Sequence, residues 1–397
     1  MEGNTFGRIF RVTAAGESYG PAMLALVDGV PPGIAITEAE IQADLDRRRP
    51  GQSAITSPRK EIDKVKIVAG VFDGYTTGAP VGLIIYNVDT KPFHVHQYAR
   101  VMERVRPGHA DYTFHIKYGR FRDWRGAGRS SGRETACRVA AGVIAKKILQ
   151  TQGIDVRAYV KEMAGIQASP EITWEDIVTK TESNIARCPD QAAAEKMIEA
   201  TLTAARQGDT VGGIIEVIAL NVPPGLGEPV FDKLNAALAH AIMSIGAVRG
   251  IEFGDGFAEA RKLGSQNNDI PYYDENGKVR FRTNHAGGML GGISTGEPIV
   301  FRLAVKPTST ISIDQDTINV IKKTNERLAA ETRRDPAIVP RVVPVAEAMT
   351  AITLVDYLMM WNAYKSISPD IEHGEQIGAY VADPIYAKKK DWDDDVS

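Results

Sequence analysis

Gly126-Ala-Gly-Arg-Ser-Ser-Gly-Arg-Glu-Thr135 sets two arginines and two adjacent hydroxyls in a glycine-rich stretch that runs into an apolar-periodic segment. Ser131, with Glu134 three residues on, has the spacing of a capping box, which predicts a helix from near Gly132 through Val139, Val143 and Ile148. The unpaired N–H groups of such a first turn, the helix dipole and the guanidiniums of Arg129 and Arg133 all favour an anion, with phosphate the best match. No Gly-Lys-Ser/Thr closes the loop and no complete GxGxxG unit is present, so it is neither a Walker loop nor a dinucleotide fingerprint.

Four further stretches carry chemistry. In Arg106-Pro-Gly-His-Ala-Asp-Tyr-Thr113, His109 stands between Arg106 and Asp111, which tune an imidazole in opposite directions. Lys306-Pro-Thr-Ser-Thr310 offers an ammonium and hydroxyls suited to a phosphate tail. Arg282–Gly296 holds five glycines, a density that lets backbone approach a ligand. Gly16-Glu-Ser-Tyr-Gly20 breaks a strand signal with a polar loop. Arg47-Arg-Arg-Pro-Gly51 reads, taken alone, as a solvated helix end favoured by the dipole. His94 and His96 lack a third ligand, so no metal site is expected.

The elements that must position these residues are mixed. Strands are predicted over 4–13, 24–30, 65–71, 81–88, 153–166, 211–222 and 299–305, with a hairpin around Glu275-Asn-Gly-Lys278. Helices are predicted after the Thr37/Glu40 capping box, over 190–206 and 231–248, and from about Val345 to Tyr364. The chain has 397 residues and 43% hydrophobic content, enough for one large core or two medium ones. A net charge of -3 excludes a general nucleic-acid binder. Cys137 and Cys188 form no framework, no apolar run reaches the ~18 residues that span a bilayer, and no signal-peptide pattern is present, so a cytoplasmic protein without a membrane partner is expected. His109-Ala110 and His285-Ala286 each precede a glycine-rich segment, an echo of two related halves.

Taken together, Gly-Glu-Ser-x-Gly20, Asp46-Arg-Arg-Arg-Pro-Gly51, Arg106–Thr113, Gly128–Ala136, Asn284-His-Ala-Gly-Gly with Gly291-Gly-Ile293, Lys306-Pro-Thr-Ser309, and Asp335-Pro with Arg341 resemble the chorismate synthase family over nearly the whole chain. The resemblance implies an α+β fold, a layered sandwich of sheets and helices built from two similar halves. It also implies a single domain over 1–365 followed by a charged extension over 366–397, partly disordered, and a homotetramer. The implied activity is that of a lyase eliminating phosphate from 5-enolpyruvylshikimate-3-phosphate, in a 1,4-anti sense, with reduced FMN. Arg48, Arg106, Arg133 and Arg333 match the family's substrate-binding arginines. The flavin contacts fall on Arg129, Ser130, Ser131, Gly246, Ala247, Gly291, Lys306, Pro307, Thr308, Ser309, Thr310 and Arg333. Asp335 matches the residue that assists proton removal and His109 the donor of a proton towards the flavin. Whether NADP chemistry supplies the electrons stays open, since no nicotinamide fingerprint decides it.

Two positions depart from the family pattern: Tyr19 stands where a histidine usually protonates the leaving phosphate, and Ala54 where an arginine is usual. Gly132 for alanine and Arg334 for histidine are smaller departures. Three readings follow: a chorismate synthase with an altered site, a paralogue acting on a different phosphorylated cyclohexene acid, or a silent flavin- or partner-binding relative.

Overall fold

Alternation of apolar residues builds two antiparallel sheets in this computed structural model, which describes residues 3–57, 61–88, 102–329 and 335–367. The first sheet runs, in spatial order, Thr5–Phe6, Arg11–Ala15, Ala22–Asp28, Val81–Tyr86, Val65–Ala69. Its central strand buries Met23, Ala25 and Val27 and exposes Leu24, Leu26 and Asp28, the period of two that one buried face requires. The second sheet runs Val248–Phe253, Ile299–Val305, Gly213–Leu220, Asp155–Met163, Ile166–Gln167. Helices Glu38–Arg48, Thr135–Gln150, Leu234–Met243 and Val339–Ile367 lie between the two sheets and share one apolar core with both. This is the expected α+β layered sandwich.

Tight helix contact explains the layer. Cβ of Ala348 lies 2.3 Å from where a side chain would start at Gly142, so the Thr135–Gln150 and Val339–Ile367 helices cross where only glycine fits. Buried charge fixes their register. Glu347 accepts from Arg47 at 2.7 and 3.0 Å, from Lys146 at 2.7 Å and from the Ala158 N–H at 3.2 Å. Burial alone would raise that carboxyl, but Arg47 and Lys146 hold it well below its ordinary range. Asp356 on the same helix accepts the N–H groups of Arg8, Ile9 and Phe10, which splits the expected 4–13 strand in two.

Other boundaries shift for local reasons. The helix expected over 231–248 is only Leu234–Met243, because Ala247 takes a positive φ and Val248 joins the second sheet. The last helix begins earlier, at Val339, and runs through Pro344. Contrary to the sequence reading, it is long and apolar enough by composition to cross a bilayer, yet 94% of its most apolar window is buried in the protein's own core. The Thr37/Glu40 capping box and the Pro271–Tyr273/Val279–Phe281 hairpin form as expected. His94, His96 and residues 368–397 of the charged tail lie outside the described residues.

Candidate active site

Residues Gly126, Ala127 and Gly128 take positive φ in succession (54, 70 and 51°) inside a buried turn spanning Arg125–Ser130. A Cβ on Gly126 would lie 2.4 Å from the Tyr19 ring and 2.9 Å from Ser18 Oγ, so the Gly16–Gly20 loop rests directly on this turn. Gly126→Ala combines a left-handed penalty with overpacking and should cost about 2–4 kcal/mol of stability; denaturant unfolding measures it, and a loss below ~0.5 kcal/mol contradicts the packing. The predicted capping box does not close. Ser131 accepts the Arg133 N–H at 3.3 Å, but Glu134 turns away to Arg138 at 2.8 Å. The helix therefore opens with a 3-10 turn at Gly132–Glu134 and becomes α-helical at Thr135.

Three guanidiniums converge around two carboxylates. Arg48 is buried, not a solvated helix end: Nη1 donates to Asp63 Oδ2 at 2.6 Å, Nε to Thr135 Oγ1 at 3.0 Å and Nη2 to the Gly132 carbonyl at 2.5 Å. Burial, with Arg341 and Arg133 close by, pushes it down to about 10 against the pull of Asp63, so it stays charged at neutral pH. Arg133, equally buried, donates to the other oxygen of Asp63 and to Asn87 Oδ1, with Glu61 3.7 Å away. Burial works to raise the Asp63 carboxyl, but the two guanidiniums outweigh it and hold the group low. Arg341 donates to the Arg48 carbonyl at 3.0 Å and to both oxygens of Asp335 at 2.9 Å.

Asp335 leads to the second cluster. Its carboxylate also accepts the Ser57 N–H at 2.8 Å, and its carbonyl accepts from Thr308 Oγ1 at 2.9 Å. The neighbouring Ser309 hydroxyl receives Lys306 Nζ at 2.7 Å and donates to the Gly108 carbonyl at 2.7 Å. Thus the Lys306–Thr310 turn touches the Asp335 loop on one side and the His109 loop on the other. His109 Nδ1 is 2.9 Å from Asp111 Oδ1 and 3.3 Å from Arg106 Nη2. The carboxylate asks Nδ1 to carry the proton and the guanidinium asks it to accept one; the shorter carboxylate contact favours a protonated Nδ1, which leaves Nε2 as the reactive nitrogen. Burial, followed by Arg106 against Asp111, lowers the imidazole pKa, so the neutral ring prevails at pH ~7. A proton donor at this position therefore needs an added anion close by to restore the imidazolium.

A cleft of about 770 Å³ collects Arg129, Ser130, Ser131, Ser244 and Gly246, with Phe114, Tyr118 and Phe121 along its wall. Its size falls within the usual range for small-molecule sites. Lys306 joins through its N–H to the Ala247 carbonyl at 2.9 Å. Its ammonium donates to Ser309 Oγ at 2.7 Å and to the Pro307 carbonyl at 3.3 Å, both neutral, and burial with Arg249 nearby lowers its pKa, the condition an incoming phosphate would relieve. Arg129 is already engaged by the carbonyls of Gly16 and Ala14 and by Asn4 Oδ1, so it pins the first strands to the cleft floor. Gly291 is not brought to this group. It sits on the hairpin joined to the start of the Leu234–Met243 helix, whereas Gly246 follows that helix's end, roughly 15 Å of helix away.

Arg333 and Arg334 lie outside the described residues. Ala54 is exposed. The sequence reading passed over Asp63, Glu61 and Asn87. The signal for the first two was acidic residues beside Arg59-Lys60; for Asn87 it was a lone amide at the end of an apolar strand.

Sheets enclosing a helical layer, with buried guanidiniums, an aspartate-held imidazole and a lysine–hydroxyl turn joined in one network, define a protein built to hold polyanionic ligands. Residues 10–359 match the family model described as chorismate synthase. The chain is 53% identical over 388 residues to the chorismate synthase of Acetivibrio thermocellus, covering 94% of this chain and 98% of that protein. It is 51% identical over 365 residues to that of Synechocystis sp., covering 91% and 98%. A crystal structure of chorismate synthase superposes with a TM-score of 0.71 at 31% identity, over 90% of this chain and 93% of that one. The chain belongs to the chorismate synthase family, and its activity is that of a lyase. Membership carries with it a flavin cofactor.

Proposed function

We propose that the protein converts 5-enolpyruvylshikimate-3-phosphate to chorismate, with reduced FMN as the particular flavin. The observation that carries this reading is the single network from Arg133 through Asp63, Arg48, Arg341 and Asp335 to Lys306–Thr310 and His109, which gathers cations where a phosphorylated dicarboxylate and a flavin phosphate would lie. Identity of about half over nearly the full length does not favour a different substrate.

In this reading Arg48, Arg106, Arg133 and Arg333 hold substrate anions and neutralise charge building on the leaving phosphate. Ser130, Ser131, Gly246, Ala247 and the Lys306–Thr310 turn hold the cofactor, which when bound supplies the electron-rich ring that promotes C–O cleavage. Asp335, positioned by Arg341 and the Ser57 N–H, assists removal of the ring proton. His109 exchanges a proton at Nε2, and Tyr19 faces the leaving phosphate. Gly291 would complete a site only through another copy of the chain. Assembly as a homotetramer in the cytoplasm belongs to the same reading. It is supported by the outer face of the first sheet, where Leu24, Leu26, Val68 and Tyr86 are exposed in place of polar residues; sedimentation at four chain masses is the corresponding measurement.

Anaerobic assay of chorismate formation with chemically reduced FMN tests the activity directly, and no product from that substrate overturns it. Lys306→Ala and Ser131→Ala are each expected to weaken FMN binding about 10-fold, the loss of one charge-assisted or polar contact. Calorimetric titration showing unchanged affinity in both would move the cofactor elsewhere.

A further inference from the structure

We infer that Asn87 is a positioning residue, an amide clamp that fixes the Tyr19 loop and couples it to Arg133. Asn87 follows the strand Val81–Tyr86, and its N–H donates to the Pro21 carbonyl at 3.1 Å, which places it opposite the exit of the Gly16–Gly20 loop. Its Nδ2 donates to the carbonyls of Glu17 at 3.0 Å and Gly20 at 2.7 Å, the two that bracket Ser18 and Tyr19. Its Oδ1 accepts from Arg133 Nε. Every donor and acceptor of this part of the side chain has a partner.

The chemistry leaves one orientation. Two carbonyl oxygens demand the NH₂ edge and a guanidinium N–H demands the oxygen, so a flipped amide would oppose like groups at all three contacts. Aspartate would keep the Arg133 contact but set an oxygen against the Glu17 and Gly20 carbonyls; alanine would lose all three. The loop is also tied by the Gly20 N–H to the Glu17 carbonyl at 3.0 Å, by Arg129 to the Gly16 carbonyl at 3.0 Å and by Ser131 Oγ to Ser18 Oγ at 3.4 Å, and it sits on Gly126 below; Asn87 is the side chain that holds the two carbonyls on either side of Tyr19. Asn87 therefore sets the height of the Tyr19 ring and the heading of the Arg133 fork together. A displacement of about 1 Å at such a point costs on the order of 10²-fold in rate.

The assignment rests on the functional reading above in so far as Tyr19 and Arg133 face substrate, so the test has one arm that needs no turnover. Hydrogen exchange of residues 16–21 is expected to quicken at least ~10-fold in Asn87→Ala and in the near-isosteric Asn87→Asp. Unchanged exchange in the Thr135–Gln150 helix serves as the control for intact folding, and Asn87→Asp carries the test if the alanine variant does not fold. In the anaerobic assay, Asn87→Ala is expected to lower kcat about 10- to 100-fold in the parent and by a smaller factor in a Tyr19→Phe background, where only the share carried by Arg133 remains. Unaltered loop exchange, or losses that multiply in full in the double variant, overturns the clamp. A parent that makes no chorismate defeats the functional reading instead and leaves the exchange arm to decide.

Discussion

Replacing Tyr19 with histidine is expected to raise kcat by about 10²–10⁴-fold near pH ~6.5 while changing KM little. A phenol of reference pKa ~10 can donate a hydrogen bond to a phosphate dianion, but passing the proton to it is uphill, whereas an imidazolium of pKa ~6.5 gives it up readily. Binding survives and the elimination slows. The structure makes the exchange feasible: Tyr19 is buried on Gly126, and the smaller imidazole enters that space without a clash. The lost ring contact should cost no more than about 1.5 kcal/mol of stability. The sign with pH is definite. The imidazolium fraction grows as pH falls from 8 towards 6, so the variant's advantage grows in that direction while the parent lacks this limb. Measuring kcat from pH 6 to 8 decides it; a variant no faster at pH 6.5 shows that protonation is not limiting. Arginine at the exposed Ala54 should lower KM with less effect on kcat, as a uniform binding contact does.

Asp63→Asn is expected to remove about 3–5 kcal/mol of stability at pH ~7 and to raise the substrate KM. One buried carboxylate separates two buried guanidiniums, and the amide substitute turns an NH₂ towards one of them. Glu61 remains 3.7 Å from Arg133, too far to replace the direct pair. The folded-state pKa of Asp63 is depressed, so its contribution is fully present above the unfolded value of ~3.9 and is lost as pH falls through the folded value. Parent and variant stabilities should therefore converge on acidification. Inorganic phosphate, a stand-in for the substrate anion, should recover more of the melting temperature in the variant than in the parent. Urea unfolding from pH ~3 to ~7 provides the check, and a difference below ~1 kcal/mol, or one independent of pH, rules out this role.

Much of the site was legible because anion recognition draws on few residue types in dense runs. The Gly126–Arg133 loop, the His109 loop and the Lys306–Thr310 turn stand out by glycine, arginine and hydroxyl content alone, and the resemblance carried by the same residues named the family. The paired strands and the Thr37-capped helix were equally local, since period and capping act within a few residues. Tertiary structure alone decided the rest. Arg47 and Arg48 read as a solvated helix end until Glu347, Asp63 and Thr135, distant in sequence, were folded against them. Glu134 fits a capping box by spacing, yet it pairs with Arg138 instead of the Ser131 N–H, because a guanidinium adds an opposite full charge that a backbone N–H lacks. Asn87 shows in sequence only as a lone amide at the end of an apolar strand, and it acquires meaning when the first sheet brings Glu17, Gly20 and Arg133 to its two edges. Local chemistry fixed which groups this protein offers to an anion; long-range pairing of buried charges and amides decided which are free to hold a ligand and which hold one another.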